Sequence, residues 1–461
     1  MKKHIFNNQN KDVNGINITV IGLGKSGQGA AKLANYLGAS VFVSDSISNS
    51  NLKEKSNYLE SCGIEVELGN HSDKIFDSKL WILSPGVPQN SSILIEAKSM
   101  GIQLISEIEF ASWYAKHRII CITGSNGKTT TVNLIEKMCD SESLNPILGG
   151  NVGTAFSEII LNDLENKPNE RLYILEISSF QLEHIISFKP FISVYLNITP
   201  DHLDRYLNME EYVNAKLNMI MNQTEKEHII FNLDDDILRN ELMDVKPQVH
   251  GFSLEKRDKI IFNVNATKIY SENENELIDL KDFALPGKHN LSNALAAATA
   301  SRLIGVPDEY IKSTMINFKG VEHRLEFVKN IGGVSYYNDS KATNLDSVKV
   351  ALDSFDNKIY LLMGGQDKGG NFLDLAPYLK NKVKKIITFG QASGKVSKAL
   401  RDAVRLKKVE DLKDAVELSH MNAVPGDIVL LSPGCASFDQ FANFEERGFE
   451  FKKLVKEIDK A

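Results

Sequence analysis

Long apolar runs are missing from these 461 residues, and no stretch approaches the length a membrane-spanning helix needs. Positive charge is not in excess either. Lys and Arg number 53 against 60 Asp and Glu, a formal charge of −7 with no basic block, which weighs against nucleic-acid binding as the main role. Neither a nucleic acid nor a membrane is therefore expected among the partners. Four cysteines occur, Cys62, Cys121, Cys139 and Cys435, far apart and without CxxC spacing. Reduced thiols are expected rather than disulfides or a metal site, as in a cytosolic protein. The start, MKKHIFNNQNKD, is basic but has no apolar segment behind it, so it does not read as a secretory signal. Low-complexity tracts and short-period repeats are absent as well. What is present is an ordinary globular composition, 42% hydrophobic and 25% charged. At about 150 residues per domain, the length suggests roughly three domains.

The most informative stretch is HRIICITGSNGKTTTVNLIEKMC, His117 to Cys139. A β-branched run (Ile119, Ile120, Ile122) predicts a buried strand. Val132, Leu134, Ile135 and Met138 recur at helical spacing. Between them lie Gly124, Ser125, Asn126, Gly127, Lys128, Thr129 and Thr130. Strand, glycine loop, Lys-Thr and helix make a phosphate cradle. Backbone N–H groups and a helix N-terminus face the anion, Lys128 reaches the outer phosphates, and the Thr129 hydroxyl suits Mg²⁺. The usual loop has four residues between its glycines; here Gly124 and Gly127 enclose two. The bland alternative is a chance Gly-Lys-Thr in a turn, which the flanking strand and helix disfavour.

Upstream, INITVIGLG runs into Gly22-Leu23-Gly24-Lys25-Ser26-Gly27, a full GxGxxG followed by a helical AAKLANYLG. The next strand, SVFVSDS, reaches Asp45, 18 residues beyond Gly27. Alone, this is a dinucleotide fingerprint, with Asp45 placed for a ribose hydroxyl. Nothing downstream looks like hydride chemistry, so another nucleotide is expected there, or glycines that only permit packing. KLWILSPGVP ends a further strand in a Ser84-Pro85-Gly86 turn, and this domain closes near residue 112.

Downstream, ILGGNVGTAF offers a Gly149-Gly150-Asn151 turn, and RLYILEISSFQLE a buried strand ending in Glu176. A carboxylate at a strand end beside a phosphate loop suits Mg²⁺; the alternative is a solvated loop carboxylate. FISVYLNITPDHLDRY ends in a polar turn with His202, and MEEYVNAKLNMIM is a helix carrying Lys216, which by itself reads as surface. LPGKHNLSNALAAATASRLIG is a helix presenting Asn290 and Asn293 on one face, or as ordinary caps. The last region brings strand ends with Asp339, Thr343, Lys368, Ser437 and, beyond them, Phe444. Such ends are where an open α/β sheet places its ligands.

GSNGKTT, LEISSFQLE, ITPDHLDRY, the Lys216 helix, LPGKHNLSNALAA, EHR, NDSKATN and LSPGCASFDQFANFEERGFEF occur in this order. Together they resemble the Mur ligases of bacterial cell-wall synthesis, over nearly the whole chain. NDSKATN and SPGCASFDQFANFEERG resemble the branch that joins D-glutamate to UDP-N-acetylmuramoyl-L-alanine. The resemblance implies an α/β fold of three domains. A Rossmann-like N-terminal domain (1–112) takes the UDP substrate, a P-loop ATPase domain (113–320) takes ATP, and a Rossmann-like C-terminal domain (321–461) takes D-glutamate. It implies an ATP-dependent ligase working through an acyl phosphate, in the cytoplasm and as a monomer.

Residue by residue, the resemblance implies that Lys128, Glu176, His202 and Lys216 are catalytic. Gly124 to Thr130, Asn290, Asn293, Arg324 and Asp339 would contact ATP. Gly24, Lys25, Ser26, Asp45, Ser46, Gly86, Asn151 and His202 would contact the UDP substrate. Thr343, Lys368, Ser437 and Phe444 would hold D-glutamate. Two Mg²⁺ sites are implied, with Thr129, Glu176, His202 and Lys216 as ligands and Lys216 carbamylated. A folate-polyglutamylating ligase shares the loop type, but the N-terminal domain and NDSKATN argue against it. A nucleotide sensor, or an oxidoreductase using the GxGxxG, is the alternative of a different class.

Overall fold

The structure, a computed structural model, describes residues 11–201, 205–258, 260–272 and 275–458. It has two compact units. One comprises the described residues up to Leu280 together with Ser292–Thr314; the other comprises Lys281–Leu291 and the described residues from Met315 on. Among the described residues no helix is long and apolar enough to cross a membrane.

The first unit holds two parallel sheets. In one, β1 (Asn17–Ile21), β2 (Ser40–Asp45), β3 (Glu65–Leu68), β4 (Leu80–Leu83) and β5 (Gln103–Ser106) lie in the order β3-β2-β1-β4-β5. Residues Ile18 to Ile21 of β1 and all of β4 are buried, as expected of strands covered by helices on both faces. The order reverses between β1 and β4. A ligand crevice is expected at the carboxyl ends of these two strands. The GxGxxG loop follows β1 there, and the Ser84-Pro85-Gly86 turn follows β4.

The other sheet has β6 (Arg118–Thr123), β7 (Pro146–Gly150), β8 (Leu172–Glu176), β9 (Ile192–Tyr195), β10 (His228–Asn232) and β11 (Gln248–Phe252), in the order β11-β10-β9-β6-β8-β7. Its pairings are all parallel. β6 lies between β9 and β8, so the phosphate loop, Glu176 and the end of β9 emerge side by side. Ile119 to Thr123 are buried, each isoleucine contributing roughly 1.5–3 kcal/mol by leaving water. In sequence, residues 224–282 are polar with short β-like runs. One of those runs, HIIFN, is β10, an interior strand of this sheet. The others are β12 (Phe262–Val264) and β13 (Lys268–Ser271), which form a small antiparallel sheet with β14 (Glu276–Asp279).

The second unit has one mixed sheet of β15 (Glu326–Ile331), β16 (Val334–Asn338), β17 (Ile359–Gly364), β18 (Val383–Phe389), β19 (Leu406–Lys408) and β20 (Ile428–Leu431), in the order β15-β16-β20-β17-β18-β19. β15 is antiparallel to β16, and the other pairings are parallel. The loops after β16, β20 and β17 carry Asp339, Ser437 and Lys368, again at neighbouring carboxyl ends. The helix Lys288–Ile304 contributes its first residues to the second unit and the remainder to the first.

Candidate active site

The phosphate loop is braced by the segment after β9 and by Tyr212. Asn126 N–H donates to the Asn197 side-chain oxygen (2.8 Å), and the Asn197 amide returns a bond to Asn126 O (3.0 Å). The Ser125 hydroxyl donates to Thr199 O, accepts from Thr199 N–H and meets the Tyr212 hydroxyl at 3.1 Å. Gly127 has a left-handed φ of 88°, and the Asn293 side-chain oxygen lies 2.3 Å from where a Cβ would stand. Any side chain at 127 would collide there. Lys128 opens the helix Lys128–Met138, and its ammonium donates to Gly124 O (2.7 Å) and Ser125 O (2.9 Å). Thr130 is buried in the same first turn.

Glu176 and Lys216 are each only 2% exposed, which excludes the solvated readings of both. The Glu176 carboxylate accepts from the Thr129 hydroxyl (2.7 Å) and from the Asn151 amide (3.0 Å). Asn151 is also held by its backbone, whose N–H donates to Glu176 O at 2.7 Å. Lys216 lies on the helix Met209–Leu217 and donates to Gly124 O at 3.2 Å. Its ammonium stands 4.6 Å from the Tyr212 ring centroid. Burial pushes the amine well below its ordinary range. Lys128 pushes in the same direction, and Asp201 opposes both. His202 lies outside the described residues. A buried carboxylate, a hydroxyl touching it and a phosphate loop form an oxygen-rich set suited to Mg²⁺.

Gly24, Lys25, Ser26, Asp45, Ser46 and Gly86 line one cleft of about 560 Å³, and Asn151 lines it too. The Asp45 carboxylate is engaged by the backbone at both oxygens. One carboxylate oxygen accepts from Leu23 N–H (2.7 Å) and the other from Ile47 N–H (2.9 Å), so it shapes the glycine loop. His71, which sequence reading missed, lines the same cleft and bonds the Ser44 hydroxyl at 2.7 Å.

In the second unit, the Asp339 carboxylate accepts from the Ser432 hydroxyl (2.8 Å) and from Leu325 N–H (3.2 Å). Burial pushes Asp339 up to about 7, against the pull of the Arg324 guanidinium. Asn290 is buried and its amide donates to Pro286 O. Lys368 donates to the Thr343 hydroxyl at 3.4 Å on an exposed face. Ser437 is buried, and Phe444 O accepts from the Ser340 hydroxyl (2.8 Å).

Sequence reading missed the residue that ties these loops together. Arg447 is fully buried and donates to the Ser340 hydroxyl and carbonyl, and to Cys435 O and Ala436 O. An arginine three residues into a helix looks like surface, and no local signal marks it. Asn197 was more legible, as a polar residue just past the end of a buried strand.

Three family models match the chain. The MurD N-terminal domain covers residues 17–93, the Mur ligase middle domain 122–301, and the Mur ligase glutamate ligase domain 323–435. A UDP-N-acetylmuramoylalanine–D-glutamate ligase of Koribacter versatilis is 41% identical over 97% of this chain and 98% of its own. One of Christiangramia forsetii is 39% identical over 96% and 100%. Among solved structures, UDP-N-acetylmuramate-alanine ligase MurC of Thermotoga maritima aligns with TM-score 0.59 at 18% identity, over 96% of this chain and all of its own. MurF ligase of the same organism aligns with TM-score 0.59 at 17% identity, over 97% of each chain. These two likenesses establish the α/β fold. The full-length matches near 40% identity establish more: the chain belongs to the Mur ligase family and, within it, to the UDP-N-acetylmuramoylalanine–D-glutamate ligases.

Proposed function

We propose that the chain joins D-glutamate to UDP-N-acetylmuramoyl-L-alanine at the expense of ATP, through an acyl phosphate. The observation that carries this reading is Asn151. It lines the cleft behind the GxGxxG loop and donates to Glu176, which touches Thr129 of the phosphate loop. A substrate with its uridine end in that cleft would present its far end to the phosphates. Three domains, 1–112, 113–320 and 321–461, would then divide the work among UDP substrate, ATP and D-glutamate.

A carboxylate is not amidated directly at neutral pH, because hydroxide is a poor leaving group. Its oxygen attacks the γ-phosphorus and ADP leaves. The D-glutamate amine then attacks the carbonyl, the tetrahedral intermediate expels phosphate, and the ammonium proton passes to solvent. The protein's part is alignment of three reactants and stabilisation of crowded negative charge. Lys128 and the loop amides would hold the outer phosphates, with Asn290, Asn293, Arg324 and Asp339 about the rest of ATP. Thr343, Lys368, Ser437 and Phe444 would hold D-glutamate, where cationic and hydrogen-bonding groups meet two carboxylates. Mg²⁺, held by Thr129 and Glu176 and at a second site by His202 and Lys216, would offset phosphate charge.

A plain ammonium at Lys216 would repel such a metal. Burial and the neighbouring Lys128 favour its neutral amine. The amine can add CO₂, with loss of a proton, to give an anionic carbamate that ligates as a carboxylate does. The chain is read as a cytoplasmic monomer acting on small molecules. Phosphate release tests the reading: it should require D-glutamate and the UDP-muramoyl substrate together. Equal turnover of L-glutamate, or hydrolysis of ATP alone at the full rate, would contradict it.

A further inference from the structure

We propose that Glu107 is a positioning residue for this reaction: by capping the helix behind the Asn151 loop from another element, it sets the spacing between the nucleotide cleft and the phosphate loop. The proposal rests on the cleft being the site of the UDP substrate. The helix Phe156–Asn166 begins behind Ala155, which supplies no side-chain cap. The first amides of a helix need acceptors and carry partial positive charge. Here the acceptor comes from elsewhere. Glu107, the first residue of the helix Glu107–Ser112 and 1% exposed, accepts from Ser157 N–H at 2.6 Å.

Helix stability alone does not call for this arrangement. A serine at 155 would cap the helix locally. A carboxylate buried beside the helix loses its hydration instead, and desolvation pushes Glu107 up to about 7 although Ser157 pulls it down. What the arrangement adds is a fixed relation between two elements. A third joins them. The helix Lys25–Tyr36, which follows the GxGxxG loop, packs Gly29 on the same turn, where a Cβ would stand 2.6 Å from the Ser157 hydroxyl and 3.4 Å from Ala155 Cβ. One turn further along, Lys32 pairs with Glu158 at 2.7 Å. The loop that shapes the cleft and the loop that carries Asn151 are therefore registered against each other at Ser157. On the far side of that loop, Gly150 N–H donates to Thr154 O, and Asn151 is bonded to Glu176 by backbone and side chain.

The test compares two ligands by calorimetry, UDP and UDP-N-acetylmuramoyl-L-alanine. UDP needs only the cleft, whereas the full substrate needs the spacing. Glu107→Ala should weaken the full substrate about tenfold or more and UDP less than twofold, while Glu107→Gln, which keeps an acceptor in place, stays near wild type. Adding Ala155→Ser to Glu107→Ala should restore Tm but not the lost affinity, because a local cap replaces the bond and not the tie. Gly29→Val, whose branched side chain is too large to be relieved by rotating the Ser157 hydroxyl, should push the first helix off this turn and give the same selective loss, and serves if Glu107→Ala does not fold. Equal weakening of both ligands, or recovery of affinity with the local cap, would overturn the proposal. A wild-type protein that binds the full substrate no better than UDP would instead overturn the reading of the cleft.

Discussion

The strand–glycine loop–helix units after β1 and after β6 are prepared for different chemistry. In the first, Gly27 packs so tightly that a Cβ would lie 1.9 Å from Gly22 O, and the loop is braced by the Asp45 carboxylate. In the second, the brace is the neutral amide of Asn197, and the loop faces Glu176, Lys128 and the buried Lys216. An anionic brace lowers the positive potential of the first loop and would suit a hydroxyl donor such as a ribose better than a phosphate. A neutral brace leaves the phosphate loop's positive potential intact for a triphosphate. The local motif thus offers a cradle, and the residues at the ends of the neighbouring strands decide what it holds.

The largest effect should come from breaking the second loop alone. Lys128→Ala is expected to lower ligation about 10³-fold, the scale of losing a charge-stabilising donor at the reacting centre. UDP-substrate affinity should change less than twofold by calorimetry. Loss of that affinity in a folded variant would mean that the two loops are not independent.

Lys216→Ala should follow, with a loss of roughly 10²-fold. Acetate or formate, filling the vacated space as a surrogate carboxylate, should restore part of the activity. An alanine variant of intact activity would return Lys216 to a structural role. Lys368→Ala should raise KM for D-glutamate by about tenfold and leave KM for ATP nearly unchanged, which places acceptor recognition outside both loops. A parallel rise in both would place Lys368 elsewhere.

Asp45→Asn sharpens the comparison from the other side. It should weaken UDP about three- to tenfold, because a neutral amide holds the Leu23 and Ile47 amides less firmly, and should leave ATP binding alone. The smallest effect concerns stability. The folded chain holds the Lys216 amine below its ordinary value of 10.5, so at neutral pH the unfolded chain gains a proton that the folded one resists. Stability therefore rises with pH from the folded value up to 10.5 and is reduced below it. Lys216→Met should raise Tm by roughly 1–3 °C in CO₂-free buffer at pH 7 while lowering activity as Lys216→Ala does. A lower Tm would show that the amine stabilises the fold.

Much of this was legible in the chain. The strands β1, β6, β8 and β9 are legible as apolar runs, whereas β5 and β7 are short and carry no such run, and candidate residues such as Glu176 follow from the place where α/β sheets put their ligands. Glu176 and Asp45 were found that way. The braces were not. Arg447 and Glu107 act on residues distant in sequence, and their partners are largely backbone atoms, which carry no sequence signal. The antiparallel β15 escaped because its alternation is weak: the strand is half-exposed along its length. For Lys216, helical position alone suggested surface, and only the fold reveals that its face of the helix turns toward the phosphate loop.

The central claim is that the substrate's own carboxylate is activated at that loop. UDP-N-acetylmuramoyl-L-alanine labelled with ¹⁸O in its terminal carboxylate tests it directly. With ATP and D-glutamate present, mass spectrometry of the released phosphate should find one ¹⁸O atom per phosphate formed, since the carboxylate oxygen leaves with phosphorus. Phosphate free of ¹⁸O would mean that water cleaves ATP and that no acyl phosphate lies on the path.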